Sequence, residues 1–165
     1  MQDIPENPFW NYSLAHYAQP GVAQCCLDYQ DQHKANINLL LFCCWLGSCG
    51  IHIEPEELEQ AKLHISPWDC QVVQPIRKVR RFIATSSWLQ NASFPSELIG
   101  SLQHVELMAE QVVQNDLFDW YSRKEFTKNN KLGLQAQNLN TYFLLLGCGS
   151  VSDNSPLLCS ARDSD

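Results

Sequence analysis

The sequence has little of what usually announces a chemistry. Only 11 of its 165 residues are Lys or Arg, against 18 Asp and Glu, for a formal net charge of -7. That balance argues against a general binder of nucleic acid or anionic membranes. There is no C-x-x-C, H-E-x-x-H or E-x-x-H, and the cysteine pairs lack zinc spacing, so no metal and no cofactor is expected. No serine sits in a G-x-S-x-G elbow. Neither Gly47-Ser48-Cys49-Gly50 nor Gly147-Cys148-Gly149 matches a phosphate loop. Hydrophobic runs are short: Leu39 to Leu46 is the most apolar, where about twenty residues would be needed to cross a bilayer. Sustained alternation is missing too, which leaves strands without support.

What is present suits an ordinary globular core, with 45% apolar and 18% charged residues. Eight cysteines could suggest disulfides, but Cys25-Cys26 and Cys43-Cys44 are adjacent pairs inside apolar helical patterns. Neighbouring residues on a helix point in different directions, and a free Cys packs as a small hydrophobe. The start, MQDIPENP, is polar, acidic and broken by proline, unlike a secretory leader. Reduced thiols and a cytoplasmic location are the expectation.

Helical spacing recurs along the chain. Asn7 or Pro8 starts a helix to about Gln19 with Trp10, Leu14 and Tyr17 on one side. Pro20-Gly21 breaks it and opens a second, to His33, carrying Val22, Cys26 and Tyr29. A third, capped by Asn36 or Asn38 and running to Ser48, is apolar nearly all round and so should be central. Pro55 begins a fourth, to His64, with Leu58, Ala61 and Ile65 inward. Ser96 caps a long helix to Ser122 whose stripe is Leu98, Leu102, Val105, Met108, Val112, Leu117 and Trp120. An exposed basic loop over 123–133 precedes a final helix, Leu134 to Leu146. The expected fold is all-α, an irregular bundle of six or seven helices forming one domain over 8–146. Residues 1–7 form an N-terminal arm, and 147–165 read as a disordered tail.

The stretch Ser66 to Leu89 organises the rest. Ser66 suits an N-cap, Pro67 the first helical position and Asp69 a capping-box acid. Trp68, Val72, Ile76, Val79 and Ile83 draw one apolar stripe, and Pro75 should kink it. Arg77, Lys78, Arg80 and Arg81 concentrate four cations in five residues of an acidic chain. Arg77 and Arg81 lie one turn apart with Gln74 beside them, an arrangement that could fork onto a phosphate or carboxylate. The competing reading is a solvated face paired with Glu56, Glu57, Glu59 or an acid of the long helix. Arg80 falls at the edge of the stripe, where a guanidinium needs either a buried acid or a bound anion. Trp88, among Ser86, Ser87 and Gln90, is the tryptophan expected to be exposed, as at a protein–protein hot spot.

One family resemblance is carried by specific blocks. These are Phe9-Trp10-Asn11-Tyr12-Ser13-Leu14, Gly21-Val22-Ala23, Cys26-Leu27-Asp28-Tyr29-Gln30-Asp31, Asn38-Leu39-Leu40-Leu41-Phe42 and Trp45-Leu46, then Trp68 with Gln74-Pro75-Ile76-Arg77 and Arg80-Arg81. Together they resemble a small, mainly gammaproteobacterial family with a conserved domain of unknown function, over roughly Pro8 to Leu146. The resemblance implies a bacterial source and no mechanism.

The leading functional expectation is a non-enzymatic helical protein that binds a protein partner or a small anionic ligand. Arg77, Arg80, Arg81, Gln74 and Trp88 would form the contact. The runner-up is an enzyme acting on a phosphorylated or carboxylated small molecule. There the arginines would hold the anion, and Asp28 and Asp31, three residues apart, would supply acid–base or Mg²⁺ chemistry. Nucleic-acid binding would require joining the Arg cluster to Arg123, Lys124, Lys128 and Lys131, against the overall charge.

Overall fold

The computed structural model describes residues 7–87 and 97–158. Its helices are α1 (Pro8–Tyr17), α2 (Val22–His33), α3 (Ile37–Ser48), α4 (Pro55–Trp68), α5 (Gln74–Thr85), α6 (Glu97–Ser122) and α7 (Leu134–Leu146). A π-helical turn, Asp69–Val73, joins α4 to α5, and a 3₁₀ turn closes the described chain at Pro156–Leu158. Among the described residues there is no strand, only one isolated antiparallel bridge between Ile51 and Lys128. The all-α class holds.

Local signals set the helix starts. The Asn7 side chain accepts from the Phe9 and Trp10 amides at 3.0 and 3.1 Å and caps α1. Asn36 does the same for α3, accepting from Asn38 N–H at 2.9 Å. The Glu54 amide donates to the Glu57 carboxylate at 3.0 Å, which orders the first turn of α4. Ser96, the expected cap of the long helix, lies outside the described residues.

α3 is the axis of the bundle, and every residue from Asn38 to Leu46 is buried. Phe9 of α1 packs on Phe42 and Trp45, each with ring centroids 5.3 Å away. α7 lies closest to α3. A Cβ on Gly47 would come within 2.5 Å of the Gln135 backbone nitrogen. Gly47→Ala therefore forces two backbones apart, and we expect a loss of about 1–3 kcal/mol by urea unfolding, although alanine favours helix in isolation.

Burial follows the expected stripe on α4, where Leu58, Ala61 and Ile65 are buried. Two other helices are turned. α1 buries Phe9, Ser13 and His16, leaving Leu14 exposed. α6 buries Glu106, Ala109, Val113, Gln114 and Leu117, and exposes Val105, Met108 and Val112. In both, the buried face sits one residue from the most apolar one. For α6 the cause is electrostatic: Glu106 turns inward to meet arginines of α5.

The helix expected to begin at Ser66 does not begin there. α4 runs through Ser66 and Pro67, and the Ser66 hydroxyl contacts Cys70 Sγ at 3.7 Å rather than capping backbone. Proline has no amide hydrogen, and its ring crowds the carbonyl four residues back. The chain adapts by widening into the π-helical turn, where Gln74 N–H donates to Asp69 C=O, five residues back, immediately before Pro75. Nor does α5 bury a stripe. No residue of α5 is buried, Val79 being 48% exposed, and Trp68 at the end of α4 is 40% exposed, its indole N–H donating to Ala109 C=O at 3.0 Å.

Residues 147–158 pack rather than trail as the first part of a disordered tail. Val151 and Leu157 are buried, Val151 N–H donates to Asn140 Oδ1 at 2.7 Å, and Pro156 sits against Gly21. A few apolar side chains in a Ser- and Gly-rich segment suffice for this. In the basic loop, Phe126 stacks on Tyr121 with centroids 5.4 Å apart. Cys26, Cys43 and Cys44 are buried free thiols, and burial pushes Cys26 up to about 12.

His16 is fully buried and stacks on Tyr12 with centroids 5.2 Å apart. Burial holds its pKa below the ordinary 6.5. The unfolded chain protonates near 6.5 while the folded one resists, so stability is lost as pH falls below that value. The loss should steepen below pH 6.5 toward a limit of about 1.4 kcal/mol per pH unit, that of one proton. Urea midpoints measured for wild type and His16→Phe should diverge there; parallel curves would exclude His16 as the source.

Candidate functional site

The Arg-bearing face of α5 is occupied by internal acids. Arg77 Nε donates to Glu106 at 2.9 Å, and its terminal nitrogen donates to Glu110 at 2.5 Å. Arg80 forks onto Glu106 through Nε and, at 3.3 Å, through a terminal nitrogen. Arg81 donates to Gln30 Oε1 and Asp31 Oδ1, each at 3.1 Å. The partner of Arg80 is thus an acid of the long helix. Burial pushes the Glu106 carboxyl up, but the bonds from Arg80 and Arg77 outweigh it and hold it below the ordinary range. Glu110 is held above that range, because burial exceeds the help from Arg77.

Beside this network a cleft of about 480 Å³ opens between the end of α2, the start of α3, the π-helical turn and the end of α7. Buried Ala35, Leu39, Ile65 and Tyr142 form its floor. The Tyr142 hydroxyl accepts from Asn36 N–H at 2.8 Å, which fixes the ring. Asp69, only 8% exposed, enters the wall from the π-helical turn and accepts from Gln74 Nε2 at 2.6 Å. π-helical turns are short, strained insertions that recur at functional positions. Around the mouth stand exposed Lys34, Lys62, Lys78 and Arg81. Lys34 holds left-handed backbone at φ 59 as the C-cap of α2, a conformation glycine adopts more readily. Lys62 pairs with Glu59 at 3.3 Å. Lys78 forms no ion pair among the described residues.

The sequence-derived residues separate. Gln74, Arg77, Arg81 and Asp31 meet at the cleft, whereas Arg80 does not line it. Asp28 also stays out of the wall and accepts from Gln24 Nε2 at 2.8 Å. The Asp28–Asp31 pair is thus not assembled around one concavity. Among the described residues no group of three or more His, Cys, Asp or Glu is placed to hold a metal. Trp88 lies outside the described residues. Arg77, Arg80 and Arg81 each bond an acid, which leaves Lys78 as the member of the cluster without an ion pair among the described residues.

Lys34, Asp69 and Tyr142 were not legible as site residues. They come from three distant segments, and only the packing of α2, the π-helical turn and α7 unites them. Among the described residues no helix is long and apolar enough to cross a membrane. Comparison with curated proteins and with solved structures gives no match. At the family level the outcome is positive: residues 8–117 match the family described as "Protein of unknown function (DUF2390)", which takes in every helix that walls the cleft except α7, and the chain belongs to that family.

Proposed function

We propose that the protein binds a small anionic ligand in the cleft beside the π-helical turn. One observation carries this. In a chain of net charge -7, five cationic and two acidic side chains converge on a single concavity. Lys34 and Lys78 supply the charge least committed to protein partners, and the apolar floor lowers the local dielectric around it. Arg77 lines the cleft but is committed to Glu106 and Glu110, and Arg80 does not line it, so the anion is held by the lysines and Arg81 instead.

Thermal unfolding with inorganic phosphate and with citrate tests this reading. At a hundredfold excess over Kd, a ligand should stabilise by about 2.7 kcal/mol, seen as a rise in Tm. Lys78→Glu and Lys34→Glu, both at exposed positions, should remove the rise without changing the circular dichroism. An unchanged Tm in wild type at high concentrations of both anions would end the proposal.

A protein partner on the α5–α6 arm is the second reading, favoured by Phe82 being 70% exposed and Met108 55% exposed. Phe82→Glu would then weaken that association and leave phosphate binding intact.

A further inference from the structure

The cleft has two electrostatic levels. At the mouth the uncommitted charge is positive, on Lys34 and Lys78. In the wall beside the apolar floor, Asp69 is more than nine-tenths buried and forms no ion pair among the described residues. Among the described residues its hydrogen-bond donor is the neutral Gln74 amide, at 2.6 Å on Oδ2. Arg77, which shares the wall, has its guanidinium bonded to Glu106 and Glu110. A carboxylate taken out of water without a cation is costly, and such groups are retained where a partner completes them.

A simple anion satisfies only the mouth. Seated deeper, it would meet Asp69 as a like charge. A ligand with an ammonium group a few bonds from its anion satisfies both levels, the ammonium on Asp69 and the anion on the lysines. Resting on the anion-binding reading above, we propose that the ligand of this cleft is a small zwitterion, a primary amine carrying a phosphate or carboxylate. The amine would complete Asp69 with charge-assisted hydrogen bonds, and the apolar floor, Tyr142 included, would exclude larger hydrated headgroups.

Titration calorimetry on the full chain with phosphoethanolamine, N-acetylphosphoethanolamine and inorganic phosphate tests this. Phosphoethanolamine should bind at least about tenfold more tightly than phosphate, the gain expected of one charge-assisted contact. Acetylation, which removes the ammonium charge, should return affinity to the phosphate level. Asp69→Asn preserves an acceptor for Gln74 and should erase the amine advantage while phosphate binds as well as before. Equal binding of all three probes by wild type would overturn the zwitterion and leave the anion site standing. So would an amine advantage that persists in a folded Asp69→Asn. Absence of phosphate binding together with absence of phosphoethanolamine binding would remove both readings. The acetylated probe decides the matter in wild type even if the variant fails to fold.

Discussion

Glu106→Ala should cost about 3–5 kcal/mol of unfolding free energy, the largest effect expected of any single substitution in this chain. Glu106 is 7% exposed and receives Arg77 on one carboxylate oxygen and Arg80 on both. Its removal leaves two largely buried guanidinium groups, with only Glu110 still bonded to Arg77. The cost comes mainly from the uncompensated charges rather than from lost attraction. Replacing all four groups, as Arg77→Met, Arg80→Met, Glu106→Leu and Glu110→Leu, should therefore recover most of the loss, since apolar residues of similar volume often substitute for a buried ion network. Urea unfolding of the single and quadruple variants would show it. A single-variant cost under about 1 kcal/mol would mean that the pairs behave as solvated surface bridges. The pH dependence has a definite sign. The Glu106 carboxyl is held below its ordinary range, so its contribution is present at neutral pH and is lost as pH falls through the folded value.

Asn138→Leu should cost about 3 kcal/mol, although it puts a hydrophobic residue of similar size in a fully buried position. Asn138 is the polar joint between α7, α3 and the segment that follows α3. Its Oδ1 accepts from Ile53 N–H and faces His52 Nδ1, both at 3.0 Å. Its Nδ2 donates to Ile51 C=O at 2.9 Å and to Cys43 C=O at 3.2 Å. Leucine would leave the buried Ile53 amide and Ile51 carbonyl without partners, at about 1–3 kcal/mol each. Asn138→Asp should be worse, because it keeps the acceptor, removes the donor and buries a charge. Hydrogen exchange at the Ile53 amide gives a local readout beside global unfolding. Protection retained in Asn138→Leu would show that the joint has rearranged around water.

Much of the fold was legible. Asn7, Asn36 and Pro55 mark their helix starts, and the all-round apolar run of α3 placed it at the centre, because a helix without a polar face has nowhere else to go. Where the reading failed, a tertiary interaction overrode a local pattern. Val105, Met108 and Val112 make the better hydrophobic face of α6, yet they are exposed, because rotating Glu106 inward satisfies two arginines together. The Ser66-Pro67 start signal is a common one, but here the preceding helix continues and a π-helical turn absorbs the irregularity.

The arginine cluster shows the same division. The sequence by itself determined that four cations lie within five residues of one helix and that a guanidinium at the edge of the apolar stripe must find an acid or an anion. Helical periodicity and the cost of burying charge require no knowledge of the rest of the chain. Only the tertiary structure decided that Glu106 and Glu110 are those acids. It alone brought Lys34 and Asp69, from opposite sides of the third helix, to one cleft. Local spacing governs which face a residue occupies, and the packing of distant helices governs what that face meets.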